Sequence, residues 1–151
     1  VIIFNDAEIA GLKPGEQIII PNGRVAPVVV SYSGYQVGNS SYSAAYSGNS
    51  YSYGYCTYYV ASKIAVPSNW GNANTWDNYA RLSGWTVSSR PSVGSILQTD
   101  AGWAGHVGIV EAVSPDGTMM KYSDMNALAG WGRVGYSGWV PASTFPRYIS
   151  R

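Results

Sequence analysis

From position 56 onward the apolar residues follow first a helical and then a strand-like spacing. Cys56, Tyr59, Val60, Lys63 and Ile64 recur at i, i+3, i+4, i+7 and i+8, which predicts a helix turning one face to a core. Gly54 loosens the chain just ahead of it, and Pro67 ends it. Asn74, with Asp77 three positions on, predicts the N-cap of a second helix. Trp76, Tyr79, Ala80 and Ser83 mark that helix's face, and Gly84 stands where a C-terminal glycine belongs. The spacing then shortens to strands: Trp85 to Val87, Ser95 to Gln98, His106 to Val113, Thr118 to Asp124, and a glycine-rich pair between Gly130 and Val140. Two N-terminal helices packed on an antiparallel sheet make an α+β arrangement.

Ahead of position 56 the pattern is different. Val1 to Phe4 and Ala7 to Leu12 fit one short helix, and Pro14-Gly15 turns the chain into a short apolar strand, Ile18-Ile19-Ile20, stopped by Pro21 and Gly23. This piece is too short to hold a core of its own. The 25 positions from Ser31 to Tyr55 then carry 8 Ser, 7 Tyr and 4 Gly and no charge, the make-up of a spacer. The organisation expected is a leading segment over 1–23, a Ser/Tyr/Gly-rich linker over 24–49 and the main domain over 50–151.

Composition narrows the class. A chain of 151 residues with 46% hydrophobic positions and six Trp has room for one ordinary domain with a real core. Charged residues are 11% of the chain and the net charge is +1, so no basic stripe exists to neutralise a phosphate backbone and nucleic acid is not an expected partner. No run reaches the roughly 20 apolar residues of a membrane-spanning helix. Few Lys and Glu with abundant Tyr, Ser, Gly, Asn and Trp suit an exported, carbohydrate-facing protein. The opening at Val1 rather than Met fits a mature form or a fragment. One cysteine excludes an intrachain disulfide and a multi-cysteine zinc site.

That cysteine, Cys56, falls in the first turn of the first predicted helix, where unpaired amides and the helix dipole favour a thiolate. The only histidine, His106, opens a predicted strand. Taken singly, a lone cysteine is most simply a small buried hydrophobe and a lone histidine a satisfied core residue. The hairpin after His106 changes the weighing. With Pro115-Asp116-Gly117 as a three-residue loop, Ser114 pairs with Thr118, and counting back puts His106 opposite Asn126 and Gly108 opposite Asp124. Directly opposed side chains lie about 5 Å apart, so Asp124 and Asn126 both fall within reach of the imidazole. A two-residue loop would place His106 across from Ala127 and assemble no site.

Four stretches in unbroken order resemble the CHAP family: Gly54-Tyr55-Cys56-Thr57-Tyr58-Tyr59-Val60-Ala61, Trp70-Gly71-Asn72-Ala73-Asn74-Thr75-Trp76, Gly105-His106-Val107-Gly108-Ile109-Val110-Glu111 and Tyr122-Ser123-Asp124-Met125-Asn126. The resemblance implies a papain-like fold and a cysteine amidase or endopeptidase acting on peptidoglycan. Cys56 would be the nucleophile, His106 the base, Asp124 the acidic partner and Asn126 the accompanying polar one. Members commonly carry Glu where Asp124 stands, and many carry Gln at the position of Tyr55. With that Gln absent, the oxyanion contact would fall to the Cys56 backbone N–H, with Tyr55 beside it. Trp70 and Trp103 are expected along the substrate groove, and Trp76 suits groove or core equally.

Some relatives hold calcium ahead of the cysteine through several Asp, but residues 31–55 contain none, so neither metal nor cofactor is expected. Residues 1–22, ending in Leu12-Lys13-Pro14-Gly15-Glu16-Gln17-Ile18-Ile19-Ile20-Pro21, resemble the C-terminal part of a LysM module, a family that binds N-acetylglucosamine-containing glycans. Together these imply a secreted, monomeric, wall-associated peptidoglycan hydrolase. The rival from another class is a catalytically weak or inactive wall-glycan binder.

Overall fold

The computed structural model describes residues 42–151; the LysM-like segment and most of the expected linker lie outside them. Helix α1 spans Cys56–Lys63, a 3₁₀ turn covers Ala73–Thr75, and helix α2 spans Trp76–Leu82. The strands are β1 (Thr86–Ser88), β2 (Ile96–Thr99), β3 (His106–Val113), β4 (Met119–Met125), β5 (Val134–Tyr136), β6 (Val140–Pro141) and β7 (Arg147–Ser150). They form one sheet in the order β1-β7-β2-β3-β4-β5, with β6 paired to β4 and every pairing antiparallel. The α+β reading therefore stands.

The period of two along the strands sorts their side chains onto two faces. Ile96, Val107, Ile109, Met125 and Ile149 pack with Cys56, Tyr59 and Val60 of α1 and with Trp70, Trp76, Ala80 and Trp85. Their alternates Leu97, Val110, Met120 and Tyr148 pack with Phe145 on the other face. Trp70 stands edge-on to both Trp76 and Trp85, with ring centroids 5.4 and 5.0 Å away. This geometry suits the aromatic quadrupole.

Two local expectations need correction. Asn74 does not cap α2. It lies inside the 3₁₀ turn that leads into the helix, and the N-cap residue is Thr75, which makes no side-chain cap bond. The β3–β4 hairpin also has a longer loop than its turn residues imply. Ser114 pairs with Met119 rather than Thr118, because the Asp116 carboxylate accepts the Thr118 N–H (3.0 Å) and draws that residue into the loop. A bulge between Val110 and Ala112 then returns the pairing to Val110–Tyr122 and Ile109–Ser123. The register expected at the site end is thus reached through a longer loop and a compensating extra residue.

Residues 42–49, which fall within the expected linker, lie against the loop after α1. The Asn69 side chain accepts from the Tyr42 hydroxyl and the Ala45 N–H (3.1 Å each) and donates to the Ser43 carbonyl (2.9 Å). Tyr42 also packs on Tyr79 and Tyr51 on Trp76, so these tyrosines extend the aromatic core rather than tether it.

Candidate active site

The nucleophile candidate is placed by its helix. Cys56 is the first residue of α1, so its backbone N–H has no intrahelical acceptor, and its thiol is free and 8% exposed. Tyr59, one turn along on the same buried face, hydrogen-bonds through its hydroxyl to Ser123 Oγ at 2.7 Å. Ser123 in turn donates to Glu111. Because Ser123 immediately precedes Asp124, this bond ties the helix that carries the thiol to the strand that carries the acid.

The base candidate is placed by the sheet. His106 opens β3, and its Nε2 lies 2.8 Å from Asp124 Oδ2. Asp124 is wholly buried, and its Oδ1 accepts the Leu128 N–H at 3.1 Å, so both carboxylate oxygens are engaged. A carboxylate facing Nε2 fixes the proton on that nitrogen and leaves Nδ1 for the thiol. The Cys56 thiol stands beside the same imidazole, close enough to raise its pKa. Burial alone would lower the His106 pKa, but the hydrogen bond to Asp124 and the charges of Cys56 and Asp124 outweigh it and push the value up to about 9. An imidazole that keeps its proton to that pH can stand as the cation of a thiolate–imidazolium pair.

Gly108 explains how the shorter acid reaches the ring. A Cβ at this position would stand 2.6 Å from the Ser123 carbonyl oxygen and 3.3 Å from Asp124 Cβ. Only the absence of a side chain lets β4 approach β3 closely enough there for the carboxylate to lie beside His106.

An open groove of about 460 Å³ runs past the thiol, lined among others by Tyr55, Cys56, Asn72, Trp103 and Gly105. None of its lining residues is charged. Its floor at Ala73 is held by the buried Gln98, whose amide donates to the Ala73 carbonyl (3.0 Å) and to Asp100 (2.8 Å). Arg147 binds the same Gln98 and Asp100, at 3.2 and 2.8 Å. A neutral groove of this size suits amide- and hydroxyl-rich substrates.

The expected site residues divide as follows. Cys56, His106 and Asp124 come together, with His106 hydrogen-bonded to Asp124 and the Cys56 thiol beside the ring, and Tyr55 and Trp103 stand on the groove beside the thiol. Trp70 does not line the groove. It is fully buried between Trp76 and Trp85 and donates its indole N–H to Ser83 at 3.0 Å, because the loop after α1 turns it inward. Asn126 is not brought into a hydrogen bond with the imidazole. It follows β4 directly, at φ +80°, and its N–H donates to the Arg133 carbonyl at 3.3 Å. Sequence reasoning missed the parts of Gly108 and the Leu128 N–H. The Gly-His-Val-Gly spacing carried a signal for the first; nothing in the sequence carried one for the second. Among the described residues, no group of acidic, histidine and cysteine side chains could hold a metal ion, and no helix is long and apolar enough to cross a membrane.

Comparison with known proteins locates this geometry. The family model for the CHAP domain matches residues 46–126. The chain is 47% identical over 93 residues to the probable autolysin LDP of Staphylococcus aureus, covering 58% of this chain and 33% of that protein. It is 44% identical over 105 residues to the N-acetylmuramoyl-L-alanine amidase sle1 of the same species, covering 66% of this chain and 31% of the other. A crystal structure of an N-acetylmuramoyl-L-alanine amidase from Staphylococcus aureus superposes with a TM-score of 0.56 at 26% identity, covering 64% of this chain and 30% of that one. The chain thus spans about a third of the length of the curated relatives it matches.

Proposed function

The chain belongs to the CHAP domain family, and from that premise we propose that it hydrolyses an amide bond of peptidoglycan through a Cys56 thiolate. The observation that carries this reading is the chain Cys56–His106–Asp124, with its acid wholly buried and its thiol on an open groove. A papain-like division of labour follows from it. The two relatives named as amidases favour the bond between muramic acid and L-alanine over a stem-peptide or cross-bridge bond.

The steps follow from the geometry. Cys56 Sγ attacks the amide carbonyl, forming a C–S bond and a tetrahedral oxyanion beside the Cys56 N–H, which has no intrahelical acceptor. His106 gives its Nδ1 proton to the departing nitrogen as the C–N bond breaks, leaving a thioester and a free amine. The neutral imidazole then takes a proton from water as its oxygen attacks the thioester, and the carboxylic acid leaves as the thiolate and imidazolium are restored. Asp124 holds the Nε2 proton throughout and keeps the ring in the required tautomer. Asn126 has no part in this scheme. Tyr55, half-exposed beside the thiol, lines the groove in which substrate would lie.

The place of action that fits is the cell wall, outside the membrane. The test is clearing of wall suspensions by the 151-residue chain and by Cys56→Ala. The variant is expected to bind walls and not clear them. Equal clearing would sink the thiolate mechanism, and absence of clearing by both, with binding retained, would make the chain a wall binder. Mass spectrometry of the products identifies the bond: new N-terminal L-alanine after cleavage of the muramoyl–L-alanine bond, or another new N-terminus if the cross-bridge is cut.

A further inference from the structure

One loop reaches both ends of the catalytic set. Residues 126–133, between β4 and β5, close on themselves at the base: the Asn126 N–H donates to the Arg133 carbonyl (3.3 Å), and the Arg133 N–H to Gly130 (3.2 Å). From within the loop, the Leu128 N–H holds Asp124 Oδ1 at 3.1 Å. From its tip, the Gly132 N–H donates to the Gly54 carbonyl at 3.3 Å, and the Trp131 indole occupies the space where a Gly54 side chain would begin. A Cβ at Gly54 would stand 2.6 Å from that ring, and Gly54 has φ +95°. Only glycine meets both demands. Gly54 is two residues before the nucleophile.

The start of α1 needs outside support. Its N-cap residue, Tyr55, makes no side-chain cap bond, and its first turn contains no acidic residue. The Tyr59–Ser123 bond holds α1 one turn along, and the uncapped start itself, two residues after a glycine, gains order from whatever packs on that glycine. Trp131 packs there. It is two-thirds exposed, yet neither it nor any other residue of 126–133 lines the groove beside the thiol.

We propose that the 126–133 loop is a clamp that sets the Cys56 thiol against His106, with Trp131 as its positioning residue. It holds the acid by one backbone amide and the nucleophile's approach by another amide and a ring. The loop therefore fixes the separation of two groups that lie on different elements. The proposal rests on Cys56 being the nucleophile, and the test is chosen to separate the two ideas.

The measurements are iodoacetamide alkylation of Cys56 at neutral pH, kcat and KM on purified wall fragments, and the alkaline limb of the pH profile, for the whole chain and its variants. Trp131→Ala is expected to slow alkylation and to lower kcat roughly 10- to 100-fold with KM little changed, the scale of an ångström-sized misplacement. The alkaline limb should move below its wild-type position, because the thiol is one of the groups that hold the proton on His106. Trp131→Phe, which keeps a ring over Gly54, should restore most of the rate. A rise in KM with kcat, alkylation and limb at wild-type values would overturn the clamp and make Trp131 a substrate wall. Loss of rate in both variants only in proportion to loss of folded protein would overturn it too. Should Trp131→Ala not fold, Trp131→Leu takes its place, since it keeps apolar cover and removes the ring. Wild-type alkylation no faster than free cysteine would instead sink the nucleophile reading before any variant is compared.

Discussion

The two walls of the site are built differently. On the sheet side Asp124 is wholly buried, uses both carboxylate oxygens, and faces an imidazole fixed by an antiparallel ladder. On the groove side Trp103 is 90% exposed, and Tyr55 and Asn72 stand around the thiol without a side-chain capping bond. Cys56 is the one residue that belongs to both. Proton transfer depends on positions held to fractions of an ångström, and packed strands supply that. Substrate contact tolerates adjustment, and loop side chains supply it.

Breaking the sheet side has the largest expected effect. Asp124→Asn keeps the shape but loses the charge, and it need not hold the Nε2 proton. The expected loss in kcat is roughly 10³- to 10⁴-fold, as for acid-to-amide changes in comparable triads. The pH dependence moves with it. His106 is raised from 6.5 to about 9, so imidazolium-dependent activity should persist up to that pH in the wild type and fall above it. Since Asp124 is one of the groups that raise it, the variant's alkaline limb should lie lower, toward the ordinary histidine value. The same sign governs stability. The imidazolium favours the folded state below about pH 6.5, and that contribution is lost as pH rises through about 9. An alkaline limb unmoved by Asp124→Asn would show that His106 is not the titrating group.

How much of this was legible in the sequence depends on where each residue's partners lie. Helix α1, the strand β3 and the opposition of Gly108 and Asp124 all followed from spacing, because a buried face imposes a period. The hairpin loop did not. The turn residues were read correctly, but the Asp116 carboxylate captures Thr118, and the bulge after Val110 that compensates has no signature of its own. Trp70 and Trp103 looked alike as loop tryptophans. What separates them is the stack with Trp76 and Trp85 and the bond to Ser83, all contacts across the fold. Counting puts Asn126 opposite His106, but the β3–β4 partners run only to Ile109–Ser123, and Asn126, just past the end of β4, has a left-handed backbone.

Trp70→Ala is expected to cost about 3–5 kcal/mol of stability, the usual range for a buried large aromatic. Among molecules that remain folded, kcat/KM should be unchanged. Denaturant melts paired with activity per folded molecule check both halves. A smaller effect is expected where the sheet side is only crowded. Gly108→Ala should cost about 1–3 kcal/mol by overpacking against the Ser123 carbonyl and Asp124. Unlike Trp70→Ala, it should also depress kcat, because relief of the clash moves the carboxylate that orients the ring. A destabilised variant of full activity would mean that Asp124 can follow His106, and the ladder would no longer be what fixes them.

The smallest effect belongs to the groove side. Trp103 is 90% exposed and belongs to neither core cluster of the described residues, so Trp103→Ala should leave the melting curve where it is. If the indole stacks on substrate, its removal should raise KM several-fold, the scale of about 0.5–1.5 kcal/mol for an aromatic contact, with kcat and the alkaline limb unchanged. Trp103→Tyr should recover most of the loss, since a ring face is what the contact needs. The pattern is the inverse of that for Asp124→Asn: affinity moves while rate and titration do not. A fall in kcat with Trp103→Ala would mean that the exposed wall also positions the scissile bond. The division between a wall that sets chemistry and a wall that sets binding would then fail at the one residue where the groove has least to hold it in place.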